Sequence, residues 1–179
     1  QRLALVPTMA GGVSLAPGAC GSAPHHVNQL LEVNHLSRDA LFEFLARGAS
    51  LVYIEQKNNN DKARILVSTL DDATGKLLDN GKSPSRRTGE IDNRGSHFYL
   101  AMYWAQALAE QTDDPELQAR FAPFAKALAD NEETIIEELN SVQGESVDIG
   151  GYYIPDAEKT RAVMCPSATL NSTIASAQA

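Results

Sequence analysis

GEIDNRGSHFYLAMYWAQALAEQ, residues 89–111, forms the axis of this chain. In its second half Phe98, Tyr99, Leu100, Ala101, Met102, Tyr103, Trp104 and Ala105 follow one another without a break. A helix that is apolar on every side is buried on every side. The run is far shorter than the ~20 residues that cross a bilayer, so it predicts the central helix of a soluble core. It carries the only Trp of the chain and two of its five Tyr. The first half is opposite in character: Asp92, Asn93, Arg94, Gly95 and Ser96 offer caps and a turn residue ahead of the helix. A polar, glycine-containing loop feeding a buried helix is a place where a ligand meets a rigid support. The plainer alternative is a well-capped core helix and nothing more.

Working outward, 179 residues suit one domain or part of a larger one. The 15 Lys and Arg against 23 Asp and Glu leave a net charge of −8. That argues against nucleic acid and anionic membranes as partners, since both need a basic surface. Cys20 and Cys165 stand alone, without CxxC or CxxH spacing, so neither a zinc site nor a disulfide scaffold is expected and a reducing cytoplasm is the simpler location. Pro7, Gly11, Gly12 and Ser14 break the apolar N-terminal stretch that loosely resembles a signal peptide. The chain begins at Gln1 rather than Met and is expected to be a piece of something longer.

Upstream of the axis, Leu3–Met9 reads as a short buried strand, followed by a loop with Gly11, Gly12, Gly18 and Gly21. Ser22 is placed as the N-cap of a helix with Pro24 in its first turn and Val27, Leu30, Leu31 and Asn34 on one face. Strand, glycine loop and capped helix together present backbone N–H groups to an anion, though a simple strand-to-helix connection is the more frequent meaning of the pattern alone. Ser37 is expected to cap a second helix with Leu41, Phe42, Phe44 and Leu45 inward. Asn58–Asp61 is a polar turn, and DKARILVSTLDDATGKLLD, residues 61–79, a third helix ended by Asn80-Gly81. The following loop holds Lys82, Arg86, Arg87 and Arg94, a basic patch suited to phosphate, or else a solvated loop with ordinary surface arginines.

Downstream, Asp114-Pro115 restarts a helix that Pro123 should kink or divide. Asn131 is a cap for the next helix, with Gly144 as its stop; VDIGGYY reads as a short strand and turn; Asp156 caps AEKTRAVM; and the tail after Pro166 is expected to fray. The chain is thus mostly α, with about seven helices and one or two short strands.

No GxSxG elbow, cysteine-protease signature or HExxH is present, and His25, His26 and His35 lack ligand spacing on one helix face. What remains is His25 and His26 at a helix start and Arg86-Arg87 in the basic loop, residue types that suit a phosphate monoester.

These residues also carry a resemblance. GSAPHHVNQLLEVNHL, TLDDATGKLLDNGKSPSRRTGEIDNRGSHFYLAMYWAQALAEQT, VDIGGYYIPD and the final PSATLN resemble, in order, the C-terminal part of monomeric NADP-dependent isocitrate dehydrogenases. The resemblance implies a much longer protein with two α/β domains around a cleft, an isocitrate/isopropylmalate dehydrogenase-like fold. Residues 1–179 would be the C-terminal portion of its first domain. It implies oxidation of isocitrate with NADP and magnesium or manganese, then decarboxylation to 2-oxoglutarate. Carried over residue by residue, Ser22, His25, His26 and Asp39 fall at cofactor-binding positions, and Arg86 at an arginine that holds the 2′-phosphate. The metal ligands, the catalytic residues and most isocitrate contacts would lie upstream of this chain.

The departures bear on cofactor preference. His25 stands where the family usually has Lys, Ser37 where it has Arg, and Cys165 where it has the Arg of MRPS; LAPGACGS replaces a loop resembling LFETGAGGS. The rival reading is a stand-alone, non-catalytic nucleotide-binding or structural protein descended from such an enzyme. The isolated segment is expected to be inactive and to self-associate, since half a domain exposes the apolar face meant for its other half.

Overall fold

The computed structural model describes residues 19–151 and 154–178. Among them are eight helices and no strand: α1 (Ala19–Val33), α2 (Leu41–Asn58), α3 (Asp61–Asp79), α4 (Asn93–Glu110), α5 (Pro115–Asp130), α6 (Glu132–Ser141), α7 (Ala157–Met164) and α8 (Ala168–Gln178).

Helix α4 is the axis. Asp92 caps it, its Oδ1 accepting from the N–H groups of Arg94 (2.8 Å) and Gly95 (3.4 Å). Phe98, Tyr99, Leu100, Met102, Tyr103, Ala105 and Leu108 are all buried, so the helix needs neighbours on several sides. Helix α3 supplies Leu70, Ala73 and Leu77, α5 supplies Ala125 and Leu128, α6 supplies Ile135 and Leu139, and α2 reaches the cluster through Phe44. Trp104 is half-buried, its Nε1 donating to Thr69 Oγ1 at 3.0 Å on α3. Gly95 lets the approach loop lie close: a Cβ there would stand 2.9 Å from Ile91 Cγ1.

Local signals set α3 at its expected bounds. Asn59 closes α2 in the left-handed region (φ 48°), the Asn60 side chain accepts from Ala63 N–H, and Gly81 (φ 62°) turns the chain away at the end.

Several expectations are corrected. Ser22 is not an N-cap, because α1 begins at Ala19 and takes in Gly21 and Ser22. Ser37 does not cap α2; its Oγ and N–H both donate to Gln29 Oε1 at 3.0 Å, and Asp39 Oδ1 accepts from Leu41 N–H instead. Phe42 and Leu45 face outward, 65% and 55% exposed, because α2 turns its opposite side, with Phe44, to α3 and to the His97 ring of α4. Helix α5 runs undivided through Pro123, held by the burial of Ala125 and Leu128. Asn131 makes no side-chain cap; its Nδ2 donates back to Ala127 O. Residues 147–151 form no strand. The tail does not fray: Ser167 and Glu138 fasten α8. The strand expected at Leu3–Met9, the glycines at 11, 12 and 18, and Tyr152-Tyr153 lie outside the described residues.

Candidate functional site

Three segments converge at the N-terminal end of α4: residues 34–40 after α1, the loop 82–92, and residues 142–149 after α6. A buried arginine joins them. The Arg94 side chain is 4% exposed and its Asp92 partner 1%, with Nη2 to Oδ2 at 2.7 Å. Arg94 Nε also donates to Asp92 Oδ2 at 2.9 Å. Nη1 donates to Asn34 Oδ1 (3.0 Å) and Val163 O (2.7 Å), and Nη2 to Asn34 O (2.8 Å). Asn34 sits in the left-handed region at φ 46°, and its Nδ2 donates to Val142 O at 2.9 Å. A planar guanidinium is the side chain that can serve so many acceptors at once. Arg94 is therefore no member of the basic patch read from the sequence; burial has committed every donor it uses to the fold.

The 34–40 segment runs along the start of α4, with Asn93 N–H donating to Leu36 O and Asn93 Nδ2 to Arg38 O, each at 2.8 Å. Asp39, at its end, is exposed.

The 82–92 loop closes on itself through Ser85 N–H donating to Ile91 O at 2.7 Å. Its tip carries the two arginines. Arg87 stands 3.9 Å from Glu90, whereas Arg86 is exposed and pairs with no acidic side chain among the described residues. Lys82 turns away from them, its ammonium 4.1 Å over the Tyr99 ring. The Tyr99 hydroxyl is pushed well above the usual phenol range, first by burial and then by its hydrogen bond to Glu132. Burial likewise raises Tyr103. Neither phenol is an acid for chemistry near neutrality.

Beneath the loop lies His35, fully buried at 0% exposure. Its Nε2 is 2.9 Å from Ser85 O and its Nδ1 is 2.7 Å from Gln143 Oε1. Gln143 in turn accepts from Gly89 N–H (2.7 Å) and donates through Nε2 to Glu90 O (3.0 Å). Neither residue stood out as functional in the sequence. The partners of His35 lie 50 and 108 positions away, beyond any local pattern.

The other expected residues lie along α1. Ser22 and His25 occupy its first two turns and His26, half-buried, follows. Residues 142–149 grip the far end of this helix, where Gly144 N–H donates to Val33 O and Val147 N–H to Leu31 O, both at 2.8 Å. At 1.5 Å per residue, Ser22 stands roughly 18 Å along the helix from Asn34. The fold thus brings the Arg86 loop against the C-terminal end of α1, while Ser22 and His25 sit toward the opposite end.

A family model described as monomeric isocitrate dehydrogenase matches residues 1–175. The chain belongs to the monomeric isocitrate dehydrogenase family. It is 59% identical over 178 residues to isocitrate dehydrogenase (NADP) 2 of Mycobacterium tuberculosis, covering 99% of this chain and 24% of that protein. It is 58% identical over 175 residues to isocitrate dehydrogenase (NADP) of Azotobacter vinelandii, covering 98% and 24%. With the Corynebacterium glutamicum isocitrate dehydrogenase (NADP), identity is 51% over 174 residues, covering 97% and 24%. The chain therefore spans about a quarter of the length of the curated relatives it matches. Among the described residues of this monomeric isocitrate dehydrogenase family member, no helix is long and apolar enough to cross a membrane, and no three His, Cys, Asp or Glu gather as metal ligands.

Proposed function

We propose that this chain forms the C-terminal portion of the first α/β domain of a longer enzyme and supplies part of its NADP site. That enzyme would oxidise isocitrate and decarboxylate it to 2-oxoglutarate with magnesium or manganese. The observation that supports the reading best is Arg86: an exposed guanidinium without an acidic partner among the described residues, on a braced loop, in a chain of net charge −8. Its planar fork suits the 2′-phosphate that distinguishes NADP from NAD. The first turn of α1 is a helix N-terminus, whose leading N–H groups have no partner within the helix and suit an anion, with His25 and His26 one turn on. Asp39 is exposed and so open to the same cofactor. Bound NADP supplies the hydride acceptor; these residues bind and orient it. The metal and most of isocitrate are assigned to the rest of the polypeptide.

The test replaces Arg86 with Ala in a full-length polypeptide where this chain is grafted over the matching quarter of the Mycobacterium tuberculosis relative. NADP affinity should fall selectively over NAD. Equal loss of both, or of neither, would remove this loop from the 2′-phosphate site. The 179-residue chain alone should form no NADPH from isocitrate and metal, because hydride transfer needs substrate held at reacting distance. Metal- and isocitrate-dependent NADPH formation by the purified chain would overturn that expectation.

A further inference from the structure

We propose that His35 and Gln143 are positioning residues that hold the Arg86 loop in its cofactor-binding position, and so set the preference for NADP over NAD. The proposal rests on reading Arg86 as the 2′-phosphate anchor. Three backbone groups around Arg86, one before it and two after, are held by these two side chains. Ser85 O, immediately before it, meets His35 Nε2 at 2.9 Å. Gly89 N–H and Glu90 O, three and four positions after it, meet the two ends of the Gln143 amide at 2.7 and 3.0 Å. His35 Nδ1 and Gln143 Oε1 lie 2.7 Å apart and bring the two holds together into one clamp, a singly protonated ring donating to one of Ser85 O and Gln143 Oε1 while packing against the other.

The amide orientation follows from the backbone. Gly89 offers an N–H, so Oε1 faces it; Glu90 offers a carbonyl, so Nε2 faces that. Asn140 Oδ1 accepts from the same Nε2 at 3.3 Å and ties the amide to α6. The base of the clamp is rigid as well. His35 follows Asn34, whose side chain and carbonyl both bind Arg94. Loop position is thereby referred to the end of α1 and the start of α4.

The chemical consequence is specific. An arginine on a loose loop must lose conformational freedom when it binds phosphate. The clamp fixes the backbone on both sides beforehand and leaves only the side chain to order. Loss of the clamp should therefore weaken the contact Arg86 makes, to the 2′-phosphate, and leave NAD, which lacks that group, nearly untouched. A residue needed only for general stability would move both cofactors together.

The experiment uses the same full-length graft, with the variants Gln143→Leu, Gln143→Glu and His35→Asn. Gln143 is half-buried, so its variants keep the fold even if the change at buried His35 does not. Hydrogen exchange of the 82–91 segment and dissociation constants for NADP and NAD are measured on each. The expected result for Gln143→Leu is faster exchange in that segment alone and a roughly tenfold rise in the NADP constant, about the effect of one hydrogen bond. The NAD constant should move by less than about twofold. Gln143→Glu, which keeps an oxygen for Gly89 and His35, should recover part of the loss. Unchanged exchange in the loop would overturn the clamp. Faster exchange with NADP and NAD weakened equally, while Arg86→Ala remains selective, would overturn the positioning role. If Arg86→Ala is itself unselective, the phosphate assignment has failed and the proposal falls with it; the exchange data show separately whether the clamp exists.

Discussion

Arg86 and Arg94 lie eight positions apart in one basic run and have opposite fates. Arg94 is buried, paired with Asp92 and bonded to Asn34 and Val163. Arg86 is exposed on a loop whose backbone is held, and its side chain pairs with no acidic side chain among the described residues. The difference teaches how to sort charges in a site. A cation whose donors are all taken by buried acceptors is part of the frame, and removing it damages folding. A cation kept in water on a fixed backbone is available, and removing it damages binding.

The sharpest test of that division is Arg94→Met. It leaves the Asp92 carboxylate buried without its partner and the acceptors on Asn34 and Val163 unmet. Breaking a buried pair from one side costs about 3–5 kcal/mol, read as a drop in the urea unfolding free energy. A loss below about 1 kcal/mol would mean that the pair is not part of the frame. Arg94→Lys should recover little, since a single ammonium cannot span carboxylate, amide and two carbonyls. The matched change Arg86→Ala should leave stability within about 0.5 kcal/mol and cost about 1.5–3 kcal/mol of NADP binding. That is roughly ten- to a hundredfold in the dissociation constant, measured by calorimetric titration. If Arg86→Ala lowers stability as much as Arg94→Met, the contrast between the two arginines collapses.

How much of this was legible in the sequence depends on the range of the deciding contact. Helix α3 was, because Asn60, the apolar spacing and Asn80-Gly81 are all local. The central helix was, because the run from Phe98 to Ala105 predicts burial on nearly every side, and of that run Ala101 alone is exposed. The outward turn of Phe42 and Leu45 was not, since a helix with apolar residues on both sides does not say which side finds a neighbour. Nor was the order of the tail, because the residue that anchors α8, Glu138, lies 29 positions before Ser167. Arg94 looked like Arg86 for the same reason: its acceptors on Asn34 and Val163 are 60 and 69 positions away. The proposed cofactor roles of Ser22, His25, His26, Asp39 and Arg86 came from resemblance; Arg86 in its basic loop and His25-His26 near a helix start also had a chemical signal of their own, and Asp39 had none.

The same contrast of committed and available groups extends to apolar surface. On α2, Phe44 is 2% exposed and packs in the core, while Phe42, Leu45 and Tyr53 are 65%, 55% and 53% exposed along the opposite side. A stripe of this kind on an edge helix favours association, and a second copy is the occupant available to the isolated chain. Sedimentation at high concentration should show dimers or larger species, and Leu45→Lys with Tyr53→Lys should return the monomer. A monodisperse monomer of the unmodified chain would remove the stripe as an interface.

The smallest effect belongs to the fastening of α8. Glu138 accepts from Ser167 Oγ (2.6 Å) and from Thr169 N–H (3.1 Å) and Oγ1 (2.9 Å). Hydrogen bonds of this kind favour the ionised carboxylate, and the one from Ser167 is the leading cause that holds Glu138 below its usual value of 4.5. Because the folded state lowers this value, the contribution is complete above pH 4.5 and is lost as pH falls through the depressed range. Protection of the α8 amides, relative to their intrinsic exchange at each pH, should therefore fall in acid before that of the α4 amides, since α4 is buried among α3, α5 and α6. Glu138→Gln keeps one acceptor and removes the titration, so its α8 exchange should be somewhat faster at neutral pH and lack that early acid step. The effect is modest because the carboxylate is close to solvent, where water competes for the same bonds. Were α8 and α4 to loosen together on acidification, in the wild type and in Glu138→Gln alike, the carboxylate would not be the group that fastens the last helix.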